Sequence, residues 1–124
     1  MTMKLLVVDD SNMVRSRIAR VAQGGPLGAM RIVGLARNGH EALRAAQVAQ
    51  PDLVTMDLTM PEMDGLACIP ALLRVAPRAS VLVISALSDK STAIQALKLG
   101  ARGFLPKPFT DEQLQRALLQ LLEA

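Results

Sequence analysis

The sequence has few aromatic side chains and almost no cysteine. Its 124 residues include one cysteine, two phenylalanines and neither tryptophan nor tyrosine. The single cysteine, Cys68, cannot form an internal disulfide, which favours a cytoplasmic protein. Aliphatic residues and seven methionines must therefore build the core. We expect Cys68 to pack inside a helix and the one histidine, His40, to lie on the surface.

Long apolar runs and strong charge are also missing. No apolar segment approaches the roughly 20 residues of a membrane span, and the first ten residues, MTMKLLVVDD, lack the apolar stretch of a signal peptide. The net charge is +3, from 14 basic and 11 acidic residues. The basic residues are scattered, with no aromatic residues between them for stacking on bases. We therefore expect neither a membrane nor a nucleic acid as partner.

Two hydrophobic periodicities alternate along the chain. Short uninterrupted apolar runs are typical of strands covered on both faces. They occur at residues 5–8, 31–36, 53–56, 81–84 and 103–105. The segments between and after them have helical spacing, as Leu114, Leu118 and Leu121 illustrate. The pattern predicts an α/β fold with five βα units, a doubly wound parallel sheet in one domain over residues 1–124.

Capping and turn residues agree with this pattern. Thr110 with Gln113 predicts a capping box at the start of the last helix. Asp64 is a candidate N-cap for the third helix. Gly100 is typical of the position just past a helix C-terminus. Residues 24–28, GGPLG, predict the turn before the second strand.

Two of the predicted helices contain unusual features. Pro70 falls inside the predicted third helix, where a proline removes a backbone hydrogen bond, so we expect a late start or a bend. In the fourth helix, Ile94, Leu97 and Ala101 have the spacing of one shared apolar face.

Polar residues stand where the predicted strands end. The first strand runs into Asp9 and Asp10, the third into Asp57 and the fourth into Ser85, while Lys107 follows the fifth. In open α/β sheets, ligands bind beyond the carboxyl ends of the strands. The sequence therefore predicts three carboxylates, one hydroxyl and one ammonium at a common edge.

Three neighbouring carboxylates repel one another unless a cation shares their site. Ligands that are all oxygen suit Mg²⁺, which takes one or two carboxylates together with waters and phosphate oxygens. A carboxylate can also attack phosphorus and form an aspartyl phosphate. The set of residues thus favours a magnesium site with phosphoryl-transfer chemistry.

Four short motifs stand in order along the chain: VVDDS at 7–11, MDLTMPEMDG at 56–65, ISA at 84–86 and KPF at 107–109. Together they resemble the receiver domain of two-component response regulators, of the CheY type, over essentially the whole chain. The resemblance implies the flavodoxin-like sheet order 2-1-3-4-5. The segments KLLVVDDSNMVRSRI and RIVGLARNGHEAL are also similar to the receiver of the chemotaxis methylesterase CheB, although no esterase domain is expected here.

The resemblance implies roles for individual residues. Asp57 corresponds to the phosphoacceptor. Asp9 and Asp10 correspond to the acidic pair that holds Mg²⁺ together with Asp57 and the backbone carbonyl of Thr59. Lys107 corresponds to the lysine that pairs with the phosphoryl group.

Further roles concern switching and tuning. Ser85 and Phe104 correspond to the two switch positions, and the phenylalanine replaces the tyrosine of many chemotaxis members. Thr59 and Leu87 correspond to positions that tune dephosphorylation, and an apolar Leu87 predicts a long-lived phosphoprotein. The resemblance also implies a cis peptide bond at Lys107–Pro108.

The resulting hypothesis is a monomeric, cytoplasmic signalling switch that is not an enzyme. A histidine kinase would be its phosphodonor, and the surface of the fourth helix, fifth strand and fifth helix would contact an output protein, with chemotaxis as the candidate process. Phosphorylation would act by favouring the state that binds the partner.

Other hypotheses remain open from the residues. A phosphate sink or a phosphorelay intermediate would use the same site. A small Mg²⁺-dependent phosphatase would need a second aspartate where Thr59 stands and a cap over its substrate. A flavodoxin-like cofactor carrier would need a phosphate-binding loop rich in glycine, serine and threonine, which the acidic DDSNM segment does not provide.

Overall fold

The computed structural model describes residues 2–24, 30–60, 62–87 and 89–123. Five strands alternate with five helices along the chain. The strands are β1 (Lys4–Val8), β2 (Arg31–Ala36), β3 (Leu53–Met56), β4 (Ser80–Ser85) and β5 (Gly103–Pro106). The helices are α1 (Asn12–Gln23), α2 (Gly39–Ala49), α3 (Gly65–Val75), α4 (Lys90–Lys98) and α5 (Asp111–Glu123). None of the helices in these ranges is long and apolar enough to cross a membrane.

All five strands form one parallel sheet in the order β2-β1-β3-β4-β5. This confirms both the fold class and the sheet order expected from the sequence. Each predicted strand is present, with bounds that differ by at most one residue at either end. From β1 the chain adds β2 on one side of the sheet and then β3, β4 and β5 on the other side. The topological switch point therefore lies at the carboxyl ends of β1 and β3.

Helices cover both faces of the sheet. Leu6 and Val8 of β1 belong to the core cluster with buried residues of α2, α3 and α4. Leu5 and Val7 belong to the second cluster, with α1 and α5. Because alternate residues of a strand point to opposite faces, the uninterrupted apolar runs follow directly from burial on both sides.

The predicted helix signals are largely confirmed. Thr110 and Gln113 form the reciprocal capping box, since the Thr110 hydroxyl accepts from the Gln113 N–H and the Gln113 side chain accepts from the Thr110 N–H. Asp64 caps α3 by accepting from the Ala67 N–H. Gly100 follows the end of α4 with φ +119°. The turn predicted at 24–28 lies outside the described residues except for Gly24.

Of the two alternatives expected for the third helix, a late start or a bend, the late start is wrong. Helix α3 begins at Gly65 and continues through Pro70 to Val75. Proline has no backbone N–H, so the Leu66 carbonyl loses its usual donor at this turn. Burial of Ile69 and Leu72, on either side of the proline, favours the helix despite this loss.

The apolar face expected for α4 faces the core only in part, because Ala101, beyond the end of the helix, is buried there, whereas the two larger residues are not. Ile94 is 42% exposed and Leu97 51%, whereas Ala96 is completely buried. Ala96 packs in the core cluster that also contains buried residues of α3. The spacing of large apolar residues therefore identified a stripe on α4, but this stripe lies toward solvent.

One prediction concerns Thr55, in the middle of β3 between Val7 and Leu82. Its buried hydroxyl has no hydrogen-bond partner within the described ranges. Thr55→Val keeps the shape and removes the desolvated hydroxyl, so we expect a gain of about 1 kcal/mol in the free energy of unfolding. Urea denaturation measures the change.

The matched control is Thr110→Val. Its hydroxyl caps α5, and we expect this substitution to lose about 1 kcal/mol. A destabilised Thr55→Val variant would contradict the view that the Thr55 hydroxyl is unpaired.

Candidate functional site

Three carboxylates meet at the carboxyl edge of the sheet. Asp9 and Asp10 directly follow β1, and Asp57 directly follows the neighbouring β3. One carboxylate oxygen from each lies within 4.8 Å of the others. Asp9 and Asp57 are each only 1% exposed, whereas Asp10 is open to solvent. The structure therefore brings the three predicted acidic residues together.

Lys107 supplies the positive charge at this edge. Its Nζ lies 2.9 Å from Asp9 Oδ2 and 3.7 Å from Asp57 Oδ2. Its backbone N–H donates to the Ser85 carbonyl at the end of β4. The ammonium thus stands between the two buried carboxylates, and the pairing with Asp9 is the shorter one.

Asp57 has the most perturbed acidity in the site. Burial, followed by the negative charge of Asp9, raises its pKa from 3.8 to about 6. The Lys107 charge and the Thr59 N–H, 3.3 Å from Asp57 Oδ1, act in the opposite direction. Asp57 is therefore largely ionised at neutral pH, although ionisation is less favourable than for an exposed aspartate.

The charge of the set fits a divalent cation. Counted at their formal charges, three carboxylates and one ammonium sum to −2 at the edge of the sheet. All donors are oxygen, and the exposed Asp10 leaves one side of the group open to water. Mg²⁺ suits such a set because it retains several waters and takes few carboxylates.

Ser85 and Leu87 are adjacent to this edge. Ser85 is fully buried, and its hydroxyl accepts a hydrogen bond of 3.0 Å from the Leu87 N–H. The Leu87 side chain is 44% exposed. Leu87 is therefore placed beside Ser85, where its side chain is free to cover part of the edge.

Phe104 lies farther along the same face of the sheet as Ser85. It pairs with Val83 of β4, and alternation puts the side chains of Val83 and Ser85 on the same face. Phe104 is half-buried and lines a cavity of about 330 Å³ together with Leu97 and Leu121. The predicted switch positions thus share a face of the sheet.

The sequence analysis missed Arg15. This arginine is only 8% exposed. Its Nη1 donates to the Asp9 carbonyl at 2.6 Å, and its Nη2 donates to Asn12 Oδ1. It fixes the peptide between the two acidic residues that follow β1. The signal in the sequence is its helical spacing with Ile18 and Ala22, which puts a charged residue on the buried face of α1.

Gly65 is a second residue whose role was missed. Gly65 is the first residue of α3, directly after the N-cap Asp64. Its N–H also donates to the Leu58 carbonyl. A Cβ at this position would lie 2.6 Å from the Leu58 Cα and still closer to the Asp57 carbonyl oxygen. Only glycine allows α3 to approach the backbone of Asp57 so closely.

Other residues considered in the sequence play no part at this edge. His40 is exposed in the first turn of α2. Cys68 is buried, and burial raises the pKa of its thiol to about 11. Met60 and Met63 pack against the core cluster.

The cis peptide bond that the resemblance implies at Lys107–Pro108 is present.

Comparison with known proteins identifies the family. The profile of the response regulator receiver domain matches residues 5–119. The chemotaxis protein CheY of Listeria monocytogenes serovar 1/2a is 36% identical over 116 residues, which cover 94% of this chain and 95% of that protein.

A methylesterase and a solved CheY structure are also similar to this chain. The protein-glutamate methylesterase/protein-glutamine glutaminase of Moorella thermoacetica is 40% identical over 121 residues, covering 97% of this chain but 28% of that enzyme. The crystal structure of the CheX-CheY-BeF3-Mg²⁺ complex from Borrelia burgdorferi contains a chain with a TM-score of 0.90 and 28% identity, with 97% of this chain and 89% of that chain covered. The chain therefore belongs to the response regulator receiver domain family, the phosphorylation-dependent signalling domains of two-component systems.

Proposed function

We propose that the protein is a signalling switch in which Asp57 accepts a phosphoryl group from a histidine kinase. The observation that carries the proposal is the buried Asp9–Lys107–Asp57 arrangement, in which one ammonium lies within 4 Å of both carboxylates. The CheY relative, covered over 95% of its length, supports a receiver that acts through protein contacts in chemotaxis. We propose residues 1–124 as one receiver domain.

The positions of the site residues support the following roles. An oxygen of ionised Asp57 attacks phosphorus, the bond from phosphorus to the donor's histidine nitrogen breaks, and the electron pair stays on that nitrogen. The Lys107 ammonium, 3.7 Å from Asp57 Oδ2, is placed to pair with the new phosphoryl oxygens. The Ser85 hydroxyl can leave the Leu87 N–H and donate to the phosphoryl group.

Asp9, Asp10, Asp57 and the Thr59 carbonyl would hold Mg²⁺. When bound, the ion neutralises charge that develops on the phosphoryl oxygens. The net charge of −2 at the edge of the sheet supports this assignment. In the protein itself, the Lys107 ammonium pairs with Asp9 at 2.9 Å and lies 3.7 Å from Asp57.

The output surface would comprise α4, β5 and α5. The half-buried Phe104 beside a cavity of about 330 Å³ supports this choice, because a ring with adjacent space can change its position. Ile94 and Leu97 expose apolar area on the same side. In this proposal the protein is a monomer and lies in the cytoplasm.

The first test is phosphorylation by acetyl phosphate, followed by intact mass. We expect a Mg²⁺-dependent gain of one phosphoryl group, because Asp57 is largely ionised at neutral pH and faces a cation site. Asp57→Asn, which keeps the shape without the nucleophile, should gain none. Equal labelling of both proteins would contradict the assignment of Asp57.

Steady hydrolysis is the matched control for this test. A switch consumes phosphodonor only while it labels itself, so turnover of p-nitrophenyl phosphate should stay at background in both proteins. Sustained turnover that requires Asp57 would instead favour the phosphatase hypothesis.

A second prediction concerns the lifetime of the phosphoprotein. Leu87→Glu replaces an apolar side chain beside Ser85 with one that can orient water, so dephosphorylation should become roughly tenfold faster, below the ~100-fold effect of a full general base. Decay of the phosphorylated mass after donor removal measures it. Leu97→Glu, an exposed leucine on α4, adds the same charge at another place and should leave the decay unchanged. Equal decay of Leu87→Glu and wild type would contradict the shielding role of Leu87.

A further inference from the structure

Arg17 of α1 makes three contacts with the segment that follows β5. Its Nη2 donates to the Phe109 carbonyl at 2.7 Å, and its Nε donates to Asp111 Oδ1 at 3.0 Å. Its guanidinium carbon lies 4.5 Å from the centroid of the Phe109 ring. One side chain therefore binds both the backbone and the side chains of this segment.

These contacts bear on the placement of Lys107. On its N-terminal side, the Lys107 N–H is bound to the Ser85 carbonyl of β4. Pro108 has no N–H to donate. Within the described part of the chain, the next hydrogen bond from this segment to another element is the one from Arg17 to the Phe109 carbonyl. The backbone of Lys107 is thus held between β4 and α1.

The chemistry of the contact requires an arginine. The planar guanidinium donates in two fixed directions while its face covers an aromatic ring, whereas a lysine ammonium is a compact point charge with neither a rigid fork of donors nor a flat face. The ion pair itself is half-exposed and contributes little to stability. The main consequence of the contact is therefore geometric.

We propose that Arg17 is a positioning residue for Lys107. By fixing Phe109 against α1, it keeps the Lys107 ammonium at the distance from Asp57 that phosphoryl transfer requires. This inference rests on the proposed phosphorylation of Asp57. Arg17 touches none of the three carboxylates in the site, so it acts on Lys107 and leaves the metal ligands in place.

The experiment compares initial rates of phosphorylation by acetyl phosphate at saturating Mg²⁺. Arg17→Met keeps the apolar stem and loses all polar contacts, and Asp111→Asn weakens the other half of the pair. We expect rates about three- to tenfold lower for Arg17→Met and a smaller decrease for Asp111→Asn, since a full 1 Å displacement of reacting groups costs about 100-fold. The Mg²⁺ dissociation constant, from calorimetry, should stay unchanged in both.

Arg20→Met is the matched control. It removes the same charge from the same helix, and Arg20 has no hydrogen bond or ion pair to the segment after β5 among the described residues. Its rate should equal that of the wild type. The NMR signal of the Lys107 ε-methylene should shift in Arg17→Met and stay in place in Arg20→Met.

A Lys107→Met background shows whether the effect passes through Lys107. There, Arg17→Met should slow phosphorylation no further, even if labelling takes hours. The same fold-decrease in both backgrounds, or a weaker Mg²⁺ affinity in Arg17→Met, would overturn the inference. If wild type gains no phosphoryl group, the proposed function fails. If wild type and Arg17→Met gain it at the same rate, the role of Arg17 alone fails.

Discussion

Burial of two like charges at the end of adjacent strands is the constraint on which the functional edge of this protein depends. Asp9 and Asp57 are almost completely buried, and the Lys107 ammonium contacts both. Charges in such a place repel one another and lose hydration, and one ammonium compensates for this only in part. The raised pKa of Asp57, about 6, shows that the lost hydration and the repulsion from Asp9 are not fully compensated. A site in this state gains most from a ligand that brings positive charge, as a divalent cation does.

The surrounding structure keeps these charges in place by holding the backbone. Arg15 binds the carbonyl of Asp9, and Gly65 lets α3 pack against the peptide of Asp57. On the other side, Ser85 and Arg17 hold the chain before and after Lys107. Each support comes from a different element, so these contacts connect the charged site to several parts of the fold. A switch needs this kind of coupling, since a phosphoryl group shifts a population only through the contacts it changes.

Much of the fold and the core of the site could be predicted from the sequence. The run at 53–56 has no polar alternation, which is typical of a strand covered on both faces, and all four of its residues are buried. Position after a parallel strand was enough to group the acidic residues with Lys107. What could not be predicted depends on distances between elements. The close approach at Gly65 depends on the placement of α3, and the exposure of Leu97 depends on which face of α4 packs against the core. The contact between Arg17 and Phe109 joins residues 92 positions apart, and no local pattern signals it.

The most direct test of this account is the titration of the Asp57 carboxyl carbon by NMR, with and without Mg²⁺. Without the ion we predict a pKa of about 6. Since this lies above 3.8, ionisation costs the folded state stability as the pH rises through 6. Saturating Mg²⁺ should lower the pKa, because the ion favours the ionised carboxylate. A pKa near 4 that does not respond to Mg²⁺ would contradict the claim that buried, partly compensated charge defines the site.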